Sequence, residues 1–142
     1  MISELEASYC VDQDRLFSTG FSYGGIMSDT LACQMADVFR AIAPMAGTVF
    51  GGSCNRANPI AAWIEHGEDD TVLPPDGGVA MRDILLEANH CTSTSQPVDP
   101  SPCVAYDGCD PGYPVVWCPV PGEGQAIPSF GGSAIAAFFQ QF

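Results

Sequence analysis

Ser22 stands between Gly20 and Gly24 in the run Phe17-Ser18-Thr19-Gly20-Phe21-Ser22-Tyr23-Gly24-Gly25. A serine at the centre of G-x-S-x-G, on a sharp strand-to-helix turn, is the arrangement of a hydroxyl nucleophile exposed at the top of a sheet. The flanking glycines are expected to keep a Cβ from crowding the neighbouring strand and helix. A serine hydroxyl becomes a useful nucleophile only when a neighbouring base takes its proton, usually a histidine oriented by a carboxylate. Asp70 suits the carboxylate: it lies in a polar turn just past an apolar segment and just before Val72-Leu73. Asp69 is its immediate neighbour and its competitor for that role.

The base is harder to find. In this chemistry the chain order is serine, acid, histidine, which places the histidine in the loop Pro121 to Pro128, and that loop contains none. Only His66 and His90 occur. His66 directly follows a strand and reads as a packed or turn-bonding histidine. His90 ends a helix, where an imidazole interacts with the helix C-terminus.

These residues need elements to position them. Leu16 and Phe17 predict a strand at about 15–19. Ile26, Met27, Thr30, Leu31, Gln34, Met35 and Val38 keep a helical period, giving a helix from about Gly24 to Asp37. Before them, Ser3 to Ser8 is a short helical segment with Ser3 as N-cap. Arg40 to Ala46 predicts a second buried strand, weakened at its far end by Pro44. Ile60 to Glu65 predicts a third, apolar on both faces as a covered parallel strand is. A helix then runs from Pro74-Pro75 to about Asn89, with Met81, Ile84, Leu85 and Ala88 on one face. Residues 91–113 predict an irregular loop stapled by cysteines. Val115 to Cys118 predicts a fourth strand, and Ser133 caps a last helix that buries Ile135, Phe138, Phe139 and Phe142. Strands alternating with helices predict a parallel α/β sheet, with Ser22, the Asp69/Asp70 turn and the loop after the last strand on one edge.

The 142 residues allow one domain. A formal charge of -13 repels phosphate backbones and argues against nucleic-acid binding. The apolar runs fall short of the ~18 residues that span a bilayer. Seven cysteines point to an oxidising compartment, although residues 1–10 lack the pattern of a signal peptide. Topology places Cys10 and Cys33 on the same lower edge of the sheet, which makes them a candidate pair. Cys91, Cys103, Cys109 and Cys118 allow three pairings, and Cys54 is left over. No Cys-x₂₋₄-Cys pair suggests zinc.

The chain resembles the C-terminal half of secreted fungal feruloyl esterases of the type C or type D kind. These are placed in carbohydrate esterase family one and are related to polyhydroxybutyrate depolymerases. The resemblance rests on Cys10-Val11-Asp12, the Phe17 to Gly25 run, His66-Gly67-Glu68-Asp69-Asp70-Thr71-Val72-Leu73-Pro74, and Gly122-Glu123-Gly124-Gln125. It implies an α/β-hydrolase fold in which residues 1–142 form a partial domain: about four parallel strands flanked by helices, without the N-terminal strands and the oxyanion loop. The strand carrying Ser22 would then be an open apolar edge, prone to self-association. By position, Ser22 is implied as nucleophile, Asp70 as acid, the Tyr23 N–H as an oxyanion donor, and Gln125 as the residue in the place of the family's histidine. An amide is no base near neutral pH, although it can still hold a hydrogen bond to Ser22. The implied activity is hydrolysis of hydroxycinnamoyl esters of plant cell-wall polysaccharide through an acyl-enzyme, outside the cell and with no cofactor or metal. The chain as it stands is expected to be inactive. Acetylxylan esterase or polyester depolymerase activity, and a non-catalytic binding or decoy protein, are the alternatives.

Overall fold

The structure, a computed structural model, describes residues 2–50 and 58–142. Its chain order is α1 (Ile2–Ser8), a 3₁₀ turn (Gln13–Arg15), β1 (Phe17–Phe21), α2 (Tyr23–Gln34), β2 (Ala41–Met45) and β3 (Ala61–Gly67). Then come α3 (Asp76–Ala88), β4 (Ser95–Pro97), β5 (Val104–Tyr106), β6 (Val115–Val120) and α4 (Gly131–Phe139). The strands form one sheet in the order β1-β2-β3-β6-β5-β4. The first four in that order are parallel, and β5 and β4 extend the sheet antiparallel.

The parallel part is the expected four-strand core. Every residue of β2 and β3 is buried, because helices cover both faces. On one face Ala43, Trp63 and Val116 pack under Ile135 and Phe138 of α4. On the other, Ile42, Ile64 and Trp117 pack against Ala32 of α2 and Met81 and Leu85 of α3. Burying side chains of this size contributes about 1.5–3 kcal/mol each relative to exposure. α4 begins two residues before the expected cap. Phe130 stands at its N-cap, and Ser133, inside the helix, donates its hydroxyl to the Phe130 carbonyl at 2.9 Å.

Two expectations about strands are corrected. Pro44 does not fray β2, which continues to Met45. The β2–β3 register is made at Ala41, Ile42 and Met45 and skips Ala43 and Pro44, so the missing N–H falls where that ladder is open. Residues 91–113 are not wholly irregular, for they contain β4 and β5, with β5 paired to β6 through Val104↔Trp117.

The cysteine expectations are partly resolved. Cys91 bonds to Cys109, and Cys103 bonds to Cys118. The second bridge sits beside the β5–β6 register and holds the antiparallel extension to the parallel core. The Cys10–Cys33 pairing is wrong: Cys10 is exposed and free, whereas Cys33 is disulfide-bonded. Sharing one edge of a sheet does not bring two Cα atoms within the ~7 Å that a bridge requires. Cys54 lies outside the described residues.

Candidate active site

β1 ends at Phe21 and α2 begins at Tyr23, so Ser22 alone makes the turn. Its φ of 56° and ψ of -115° put it in a region that non-glycine residues rarely occupy. Such a conformation costs on the order of 1–3 kcal/mol and persists only where surrounding structure enforces it. The enforcement is visible: the Ser22 N–H donates to the Met45 carbonyl at 2.9 Å, and the Ser22 carbonyl accepts from the Ile26 N–H at 3.0 Å. The Ser22 hydroxyl does not cap α2, and the residue is half-buried.

The flanking glycines divide differently from expectation. A Cβ on Gly20 would lie 2.5 Å from the Gly24 carbonyl carbon, so no other residue fits there. A Cβ on Gly24 would meet nothing within 4 Å, and the crowded helix position is Gly25, where a Cβ would lie 2.6 Å from the Met45 carbonyl. The first turn of α2 is rotated so that Gly25, not Gly24, faces the end of β2.

Asp70 sits in the turn after β3 and is 4% exposed, whereas Asp69 is exposed, which separates the two candidates. One oxygen of Asp70, Oδ1, accepts from the Val72 N–H at 2.8 Å and the Leu73 N–H at 3.0 Å. The other, Oδ2, is buried without a hydrogen-bond partner. His66 is part of β3 rather than beyond it, and it is buried. Its Nε2 lies 2.8 Å from the Leu73 carbonyl, which can only accept, so that nitrogen carries the proton. The same nitrogen is 3.4 Å from Asp70 Oδ2. His66 therefore packs against the acid turn, and neither of its ring nitrogens is hydrogen-bonded to Ser22. His90 leaves the helix with φ 53° and pairs its Nδ1 with Asp110 Oδ2 at 2.8 Å instead of with the carbonyls of α3.

The loop after β6 comes back to this turn. The Asp69 N–H donates to the Glu123 carbonyl at 2.9 Å, and a Cβ on Gly67 would collide with the Glu123 and Gly124 carbonyls. That docking brings Gln125 to Ser22, 103 residues away in sequence: Gln125 Nε2 donates to Ser22 Oγ at 3.3 Å. Tyr23 opens α2, and its N–H belongs to the first turn, whose donors have no partner within the helix.

Residues 1–51 match the prolyl oligopeptidase family. Feruloyl esterase D of Neurospora crassa is 40% identical over 113 residues, which cover 76% of this chain and 39% of that protein. Feruloyl esterase C of Emericella nidulans is 38% identical over 132 residues, covering 81% of this chain and 49% of that protein. The chain is a homologue of the fungal feruloyl esterases. It spans about half the length, or less, of these relatives. Among solved structures, an acetyl xylan esterase from Aspergillus awamori superposes with a TM-score of 0.73 at 17% identity, over 97% of this chain and 64% of that one. Esterase PE8 gives 0.71 at 18%, over 98% and 55%. The fold is that of the α/β-hydrolase esterases.

One residue near the site escaped the sequence reading. Glu65, on β3, is 1% exposed. Trp63 Nε1 donates to its Oε1 at 2.7 Å, while Oε2 has no hydrogen-bond partner and lies 2.7 Å from where a Cβ on Gly131 would be. Burial pushes this carboxyl above the usual range, against the smaller opposing effect of the Trp63 hydrogen bond. The available signal was one acid ending an otherwise apolar strand.

Proposed function

We propose that the chain carries the machinery of a serine carboxylesterase of the feruloyl type, with the base of that machinery replaced. Ser22 is the nucleophile, Asp70 the acid, and Gln125 stands in the position of the base. The single observation that carries the reading is the strained Ser22 meeting a side chain of the post-β6 loop at 3.3 Å. In the complete reaction the Ser22 oxygen attacks the ester carbonyl carbon while a base takes its proton. The Tyr23 N–H and the positive end of α2 stabilise the oxyanion. Collapse expels the alcohol, and water then releases the acid from the acyl-enzyme. Gln125 cannot take that proton, for its amide nitrogen points a donor at Oγ.

The substrates we infer are hydroxycinnamoyl esters of plant cell-wall polysaccharide, supported by the names of the relatives. The Cys91–Cys109 and Cys103–Cys118 disulfides support an extracellular setting, and no helix among the described residues is long and apolar enough to cross a membrane. The second reading, a non-catalytic binding protein, is favoured by Gln125 alone.

The test is hydrolysis of methyl ferulate by the wild-type chain, Ser22→Ala and Gln125→His. Removing the base of such a triad costs on the order of 10⁶-fold in kcat in subtilisin. The expected result is no wild-type turnover above Ser22→Ala, and Ser22-dependent turnover in Gln125→His with hydroxycinnamoyl esters preferred over acetyl esters. Robust wild-type turnover would show that another group serves as base. Equal binding of the free hydroxycinnamic acid by all three chains, with no turnover in any, would favour the binding protein.

A further inference from the structure

The lower edge of the sheet carries a second constellation, away from Ser22. The Ser22 N–H bonds to Met45, the last residue of β2, whereas Arg40 immediately precedes Ala41, the first. The length of that strand, roughly 16 Å, separates the two levels. A cleft of about 470 Å³ opens beside Arg40, within the ~300–1,000 Å³ range of small-ligand pockets. Gln13, Asp14, Asp37, Arg40, Tyr113 and Phe142 are among the residues that line it.

Arg40 is fixed there with part of its donor capacity unused. Its Nη2 donates to the Gly112 carbonyl at 2.9 Å. Its guanidinium carbon lies 4.0 Å from the Phe142 ring centre and 5.4 Å from that of Tyr113, so two ring contacts and a backbone bond hold the fork in place. Nη1 is buried and has no hydrogen-bond partner. A charged donor in that state is costly unless something completes it. Asp14 and Asp37 line the same cleft, but among the described residues neither forms an ion pair with Arg40. The lining selects the ligand. Arg40 and Gln13 offer donors, the two aspartates offer acceptors, and the rings offer apolar surface. An anion would meet both carboxylates along with Arg40, on a chain of formal charge -13. A neutral ring with neighbouring hydroxyls suits every group: a hydroxyl accepts from Arg40 Nη1 while donating to a carboxylate, and the C–H face of the ring packs on the aromatic surface. A sugar unit has both features.

We propose that this cleft binds a neutral sugar unit of a polysaccharide, at a site separate from the candidate active site. A polymer is long enough to engage both edges of the sheet at once. That the sugar belongs to an esterified polymer rests on the serine-esterase reading above, whereas its recognition makes no use of Ser22.

The experiment uses the full chain with xylotriose, cellotriose and arabinotriose as neutral probes and glucuronate as the anionic control. Binding is titrated by backbone amide chemical-shift perturbation, which gives the affinity and locates the site. Expected are saturable shifts with at least one neutral trisaccharide, centred on Asp14, Asp37, Arg40 and Tyr113 and not on Ser22 or Gln125. Asp14→Ala and Asp37→Ala, both at exposed positions, are each expected to weaken that binding about tenfold. Arg40→Lys, which keeps the charge and loses the fork, is expected to weaken it at least as much. Should Arg40→Lys fail to fold, the two aspartate variants still decide. No shift with any neutral probe, shifts confined to the Ser22 edge, affinity unchanged by both aspartate variants, or tighter binding of glucuronate than of the trisaccharides overturns the proposal. Turnover of methyl ferulate by Gln125→His is expected to be unaffected by Asp37→Ala, because that ester carries no sugar. Sugar binding without such turnover keeps the cleft and sinks the esterase reading, and turnover without sugar binding does the reverse.

Discussion

Gln125 donates its side-chain N–H to Ser22 Oγ at 3.3 Å, across 103 residues of sequence. The contact joins the turn after β1 to the loop after β6, and it has the wrong polarity for catalysis. On the proposed reading Ser22 is the nucleophile, and it receives a hydrogen where it needs to lose one.

The turn at Ser22 depends on the close approach of Gly20 to α2. Gly20→Ala would place a methyl carbon 2.5–2.7 Å from the Gly24 backbone. Backbone cannot rotate away as a side chain can, so the elbow must shift. The expected cost is about 2–4 kcal/mol, read by chemical denaturation. Gly24→Ala meets open space and sits in a helix, so it is expected to be neutral or slightly stabilising.

Glu65 makes stability fall as pH rises. Its folded-state carboxyl is raised by burial, so the unfolded chain loses this proton at lower pH than the folded one does. The relative stabilisation is fully present below the ordinary value of 4.5 and is lost as pH climbs through the raised folded value. Gln at this position keeps an acceptor for Trp63 Nε1 and cannot ionise. The stability difference between Glu65→Gln and wild type is therefore expected to grow in favour of the variant from pH 4 to pH 8. A difference that is flat with pH would contradict the assignment.

Asn89 ties three segments together at the base of β3. Its Oδ1 accepts from the Ile60 N–H at 3.0 Å, and its Nδ2 donates to the Ile60 and Tyr113 carbonyls, each at 2.8 Å. The residue is fully buried, so alanine leaves three backbone groups unpaired. Asn89→Ala is expected to cost about 3 kcal/mol or more, measured as a shift in the denaturation midpoint.

Among the described residues β1 pairs only with β2, and its Phe17 and Phe21 are half-buried. Phe17 stacks on Phe139 at 4.5 Å, which covers one face of the strand, and among the described residues no strand pairs with its outer edge. We expect concentration-dependent self-association in sedimentation velocity, reduced by Thr19→Lys at the exposed middle of the strand. A monomer at all concentrations would show that this edge is already protected.

The parts of the fold that the sequence made legible were those fixed by local chemistry. Gly20 and Ser22 between an apolar run and a helical period specify a strand-turn-helix unit with no help from distant residues. Asp70 was distinguishable from a generic turn acid only as a position, and its burial beside an exposed Asp69 is a tertiary fact. Which glycine of α2 faces β2 depends on the rotation of the helix, so Gly24 and Gly25 were exchanged. β4 and β5 have three residues each, too few to show an alternating pattern, and they exist because β6 and the Cys103–Cys118 bridge hold them. Glu65 was hidden for a related reason. An acid at the end of an apolar strand looks like the start of a polar turn until Trp63 and α4 close over it.

The most direct measurement of the central claim is labelling of Ser22 by a fluorophosphonate, read by intact mass and peptide mapping, for wild type and Gln125→His side by side. The probe reports whether the hydroxyl is activated and needs no knowledge of the natural ester. The account predicts a wild-type chain that is folded and essentially unlabelled, and a Gln125→His chain labelled on Ser22 at least ~10³-fold faster. Rapid labelling of the wild type, or a Gln125→His chain as silent as Ser22→Ala, would contradict it.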